Sequence, residues 1–243
     1  MIAKMPLENF LIIDIETVSA QRDFDALNDD WKKLWEEKVQ RIKPEETTIQ
    51  AYYEQRAGVM AEFSKIICIS IGYFKKEKSS LQFRVKSIFN HNEKDLLALF
   101  LDTIQQMEQI HKRWSFTGHN IKEFDIPFLC RRILINSLII PSYLDFQNMK
   151  PWETNMVDTF QFWRFGDYKN YTSLKLLAAS LNLPSPKDDI DGSMVGKVYW
   201  QQNNLDRIAV YCQKDVITVA NIILRFKNLP VLTDGQLVFA QPN

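Results

Sequence analysis

The stretch Phe10 to Val18, FLIIDIETV, constrains this chain most, because it sets two carboxylates, Asp14 and Glu16, in an otherwise apolar run. On a β-strand successive side chains alternate between faces, so Asp14 and Glu16 share one face while Ile13, Ile15 and Thr17 take the other. Two steps of roughly 3.3 Å put the two side-chain roots about 6–7 Å apart. That spacing lets them grip opposite sides of a cation pair about 3.5–4 Å apart. A plainer reading fits the same residues: the strand ends at Asp14 and runs into an acidic loop. On this stretch alone both stay open.

The chain has 243 residues, enough to bury such a strand in a sizeable core. Lys plus Arg equals Asp plus Glu at 30 each, so no global field pulls it toward a long duplex or an acidic membrane. The balance still permits a protein that holds a few nucleotides at a chain end through local contacts and bound metal. Cys68, Cys130 and Cys212 stand in apolar contexts without C-x-x-C spacing, as reduced, buried thiols of a cytoplasmic protein do. MIAKMPLENF lacks a long apolar core and no run approaches the ~18 residues of a membrane span, so neither export signal nor anchor is expected.

The expected architecture is one α/β domain over 1–243. After the first strand, residues 19 to about 63 form an insertion with helical spacing at Trp31, Trp35, Val39 and Ile42 and a second helix beyond Pro44. It reads as an amphipathic helical pair, with a lid over the acidic strand as the alternative. KIICISIGYF (65–74) and LQFRVKSIF (81–89) form a hairpin across the turn Lys75 to Ser80. A helix follows from Asn92, its cap, to about Arg113, then a short strand from Trp114 to Thr117 and a helix from about Ile126 to Asn136. A strand at Met156 to Phe162, a helix from Ser173 to Leu181 and a long helix from Leu205 to Lys227 complete the series. Strands first, then strand and helix alternating, predict a mixed five-stranded sheet covered on both faces.

Two further acids stand out, each with a structural reading beside the functional one. In the last helix Leu205, Ile208, Cys212, Val216, Val219 and Ile223 make one apolar stripe, and Asp215 falls inside it with Tyr211 one turn earlier. A coreward carboxylate must find a cation or several donors, through a salt bridge or through metal. In TGHNIKEFDIPFL (117–129), Asp125 before Ile126 and Pro127 reads as a helix N-cap. Gly118 is placed to take a positive φ and bring backbone close to a ligand. Asn120 could hydrogen-bond a sugar or phosphate or serve a turn, and His119 reads as a rim residue, with no second His at a metal-binding offset.

D-I-E near the start, N-x-x-x-F-D in the middle and Y-x-x-x-D on a late helix occur together and in order. In these motifs the chain resembles the DEDD superfamily of 3′-5′ exonucleases. Tyr211 four residues before Asp215, with Val210 rather than His five before it, matches the tyrosine branch. The likeness is greatest to the exonuclease domain of family B DNA polymerases and to stand-alone bacterial proteins related to it, which also show something like DGSMV (191–195) ahead of IAVYCQKDV (208–216).

The resemblance implies an RNase H-like fold, two divalent ions, Mg²⁺ or Mn²⁺, and hydrolysis of phosphodiester bonds at the 3′ end of single-stranded or frayed DNA. Asp14, Glu16 and Asp215 would hold one ion; Asp14 would bridge to the second, with Asp125 reaching it through water. Tyr211 would orient the attacking water, its ordinary pKa near 10 keeping it protonated. Thr17, Asn120 and Phe124 are the candidate substrate contacts. An exoribonuclease of the same fold and a catalytically silent nucleic-acid-binding module are the alternatives. A chain this short leaves no room for a polymerase, so the implied partners are a nucleic-acid 3′ end and a separate polymerase or repair protein, with no membrane. FQFWRFGDYKNYTSLK (160–175) interleaves aromatics with Arg164, Lys169 and Lys175, suiting bases and phosphates, though much of it is expected in the core. KDDIDG (187–192) lacks the ligand pattern of a calcium loop and reads as a turn.

Overall fold

A computed structural model describes residues 2–77, 80–110, 113–150, 153–184 and 190–240. Strand β1 (Phe10–Ser19) runs antiparallel to β2 (Ser64–Glu77), which turns back into β3 (Ser80–Phe89). On the other side β1 pairs in parallel with β4 (Ser115–Gly118), and β4 with β5 (Met156–Asp158). A short strand β6 (Leu237–Phe239) joins the free edge of β3, so the sheet has the order β5-β4-β1-β2-β3-β6. The α/β class and the mixed sheet, an antiparallel meander flanked by parallel strands, are as expected; the described strands number six rather than five.

Alternation along β1 divides the core. Leu11, Ile13 and Ile15 pack against α3 (Glu93–Ile110) and α4 (Asp125–Ile135) through Leu97, Phe100, Ile126 and Leu129. Phe10 and Ile12 face α8 (Leu205–Phe226) through Val216, Val219 and Ile223. Period-2 alternation therefore points Asp14 and Glu16 toward α8. The pairing of β1 with β2 slips between Glu16 and Thr17, an irregularity that re-aims the strand just past its second acid.

Helix α4 is held by a buried ion pair between Arg132 and Glu93, while Arg132 Nη1 also donates to the carbonyl of Ala61 at 2.8 Å. The Asn92 side chain caps α3, accepting from Lys94 N at 3.0 Å. The insertion contains α1 (Asp29–Val39) and α2 (Ile49–Arg56) around its own small core of Trp35, Val39, Tyr53 and Phe63. Trp31 and Ile42 depart from the expected stripe and are exposed, Trp31 meeting that core edge-on at Phe63, 5.4 Å away.

The expected strand at 156–162 stops at Asp158, and α5 (Thr159–Arg164) begins in its place. Helices α6 (Leu174–Ser180) and α7 (Val195–Gln202) precede α8. Of the turns read from sequence, residues 78–79 and 187–189 lie outside the described residues.

Candidate active site

Helix α8 lays Cys212 against β1. Its thiol lies 3.3 Å from Asp14 Oδ2 and 3.5 Å from the Asp14 carbonyl. One oxygen each from Asp14 and Glu16 and the Cys212 sulfur lie within 4.8 Å of one another. Burial pushes the Cys212 pKa up, so the thiol is a proton donor to Asp14. Tyr211 and Asp215, on the same helix, reach the same place, and Asp215 lies close enough to the Tyr211 hydroxyl to raise its pKa.

Asp125 arrives from the other side. It is the first residue of α4, not its cap; Phe124 holds the cap position without a side-chain bond. The Asp125 carboxylate reaches back to β1 and accepts from Ile15 N at 3.3 Å. The expected N-cap role is thus wrong: the carboxylate is used across the sheet, against the strand that carries the other acids.

The electrostatics follow from this crowding. Burial, then the charges of Asp215 and Asp125, hold the Asp14 pKa well above the carboxylate range. Glu16 is raised the same way, by burial and then by Asp14 and Asp215. Asp125 is pushed up to about 7, chiefly by burial, with Asp158 and Asp215 adding and the backbone bonds, Ile15 N–H among them, opposing. Burial and then Asp215 and Glu16 keep Tyr211 protonated far above its ordinary range. Among the described residues no Lys or Arg forms an ion pair with Asp14, Glu16 or Asp125. Their charge partners are one another, as suits a set of hard oxygen donors for divalent cations.

The loop between β4 and α4 is shaped by Asp158, a residue that sequence reasoning passed over. Its carboxylate accepts from Asn120 N at 3.0 Å and Lys122 N at 3.1 Å, and caps α5 by accepting from Phe160 N at 2.9 Å. Gly118 does not take a positive φ; it is small because a Cβ there would lie 3.0 Å from the Ile13 carbonyl oxygen. Asn120 takes the left-handed conformation instead, at φ 65°. Among the described residues its buried side-chain oxygen has no hydrogen-bond partner. His119 is a structural tie: its Nε2 meets the Thr172 carbonyl at 2.8 Å and its Nδ1 the Thr159 hydroxyl at 3.0 Å. The Thr17 hydroxyl donates to the Gly58 carbonyl at 2.6 Å and so holds the end of the insertion. Phe124 packs on the α3–α4 core beside Phe128.

Residues 59–236 match the model of a family described as a predicted 3′-5′ exonuclease related to the exonuclease domain of PolB. The match contains Asp125, Asp158, Tyr211 and Asp215 and begins beyond Asp14 and Glu16. No curated protein matches the chain. Among solved structures it is similar to the family B DNA polymerase from the hyperthermophilic archaeon Pyrobaculum calidifontis, at 12% identity and a TM-score of 0.49, over 95% of this chain. This chain spans 28% of the length of that one.

Proposed function

The chain belongs to the family of predicted 3′-5′ exonucleases related to the exonuclease domain of PolB, and from that membership we propose that it is a tyrosine-branch, metal-dependent enzyme removing nucleotides from single-stranded or frayed DNA 3′ ends. The observation that carries the proposal is the meeting of Asp14, Glu16, Asp125 and Asp215, drawn from three distant segments and close enough to raise one another's pKa. A silent binding module gains nothing from an anionic pocket facing phosphate.

Asp14, Glu16 and Asp215 would hold one divalent ion, and Asp14 with Asp125 the second, either Mg²⁺ or Mn²⁺. Bound there, such ions acidify water and neutralise charge on a departing 3′ oxygen. The chain's own residues supply orientation. Tyr211, kept protonated by burial and by Asp215 beside it, would orient a water toward phosphorus through its hydroxyl. Being protonated, Tyr211 positions that water and does not act as its base. The Asn120 amide, on a backbone fixed by Asp158, would bond the terminal nucleotide. Cys212 holds the orientation of Asp14 through its thiol proton.

The test is incubation of the protein with 5′-labelled single-stranded DNA and RNA of equal sequence, in Mg²⁺, in Mn²⁺ and in chelator. A ladder shortening from the 3′ end, metal-dependent and faster on DNA, is expected. An RNA-only ladder would transfer the activity to RNA, and no ladder under any condition would overturn the proposal.

A further inference from the structure

The aromatic residues between 160 and 175 divide into two sets. Phe160 is fully buried, Phe162 stacks at 4.7 Å on Phe226, and Trp163 packs over Leu177 and Ile222. Phe165, Tyr168 and Tyr171 are instead 83%, 79% and 65% exposed. They occupy the connection between α5 and α6, where Phe165 and Gly166 take φ angles of 45° and 89° and turn the chain outward. Burial does not account for three exposed aromatics in seven residues, and large exposed apolar surface marks a binding site.

The position of this connection says what it binds. Tyr171 is fixed edge-on against Phe160 at 5.0 Å and, together with Lys175, Tyr211 and Asp215, lines a cavity of about 370 Å³. The aromatic loop therefore starts at the wall of the acidic site and leads away from it. Arg164 lies 4.0 Å over the Phe160 ring and 5.6 Å from that of Tyr168 and is paired with Glu123 at 3.2 Å, while Lys169 and Lys175 are exposed beside the aromatics. Exposed π faces with Lys169 and Lys175 among them complement unstacked bases joined by phosphates, whereas an apolar protein surface would leave those two lysines desolvated.

We propose that Tyr171, Tyr168 and Phe165 form the platform on which the bases next to the 3′ end stack, with Lys169 and Lys175 meeting the phosphates. This rests on the exonuclease reading and adds to it the surface that selects a single strand: paired bases, already stacked in a duplex, cannot offer their faces to the loop.

The test compares two substrates, a thymidylate dodecamer and the p-nitrophenyl ester of thymidine 5′-phosphate, which has no upstream bases. The double variant Phe165→Ala/Tyr168→Ala, altered only at exposed side chains, is expected to raise the dodecamer KM by about tenfold or more and to hydrolyse the ester as the wild type does. Unchanged KM on the dodecamer would overturn the platform. If the wild type cleaves neither substrate, the exonuclease reading fails, and fluorescence anisotropy of the labelled dodecamer still decides the platform. Binding weakened about tenfold by the double variant supports it, and equal binding overturns it.

Discussion

The backbone N–H of Ile15 donates to the Asp125 carboxylate across 3.3 Å and 110 residues of sequence. One bond thus fixes the start of α4 to the strand that carries Asp14 and Glu16, and brings an acid from the middle of the chain to those at its beginning.

Asp125→Asn separates that bond from the charge. The amide oxygen can still accept from Ile15, while the buried charge near Asp215 and Asp158 disappears. We expect metal-dependent cleavage to fall by about 100-fold or more, with the metal-free melting temperature unchanged or raised by a few degrees, at about 2–4 °C per kcal/mol for a chain of this size. Cleavage of labelled single-stranded DNA and thermal unfolding measure the two effects. Wild-type turnover would make Asp125 a structural residue only.

The raised carboxylates give the metal-free protein a particular pH dependence. Asp14, Glu16 and Asp125 bind protons more tightly folded than unfolded, so their contribution to stability declines as pH rises above the ordinary carboxylate range. For Asp125 the decline runs until its folded value of about 7. Divalent ions replace those protons, so the rise in melting temperature on adding Mn²⁺ should be larger at about pH 8 than at about pH 5.5. Asp14→Asn should flatten both the metal-free slope and the Mn²⁺ response. No Mn²⁺ effect at either pH would remove the metal site.

Tyr211→Phe keeps the ring, which packs beside Cys212 and Ile208, and deletes the hydroxyl beside Asp215. If that hydroxyl orients water, kcat should fall about 10- to 100-fold with KM little changed. Because burial and Asp215 hold the phenol protonated, the wild-type rate should show no tyrosine limb below about pH 10. A variant with wild-type kcat would exclude Tyr211 from the chemistry.

Much of this site is legible in the sequence wherever an acid interrupts a strong period. Asp14 and Glu16 stand out because the neighbours of β1 are apolar on both faces, and Asp215 because α8 carries a long, regular stripe. Signals weaken where two local explanations compete. Asp125 before Ile-Pro imitates an N-cap, and nothing nearby in sequence announces Ile15 as its partner. Asp158 is hidden for the opposite reason: in MVDTFQF, Phe160 and Phe162 follow it at strand spacing, which extends the apparent strand and conceals that Asp158 ends it and caps α5. The three residues of β6 pair only with the distant edge of β3, too few to leave a period of their own.

Asp158 carries the last expectation. Its two oxygens accept from Asn120 N, Lys122 N, Phe160 N and Gln161 N, joining the loop before Asp125 to the start of α5. Asp158→Ala leaves these donors without their acceptor. A lost cap costs about 1 kcal/mol and each unsatisfied buried donor about 1–3 kcal/mol. Water reaching the half-buried Asn120 and Lys122 offsets part of this, so we expect about 2–4 kcal/mol of destabilisation. The loop should lose its shape and cleavage should fall with it. Asp158→Asn can keep Oδ1, which serves Asn120, Phe160 and Gln161, and gives up only the bond to Lys122. It also removes a charge that raises the Asp125 pKa, so its pH–rate profile should shift to lower pH with little loss of stability. Chemical denaturation and the rate profile of both variants distinguish the clamp from the charge. An Asp158→Ala protein with wild-type stability and rate would mean that Asp125 owes its place to Ile15 alone.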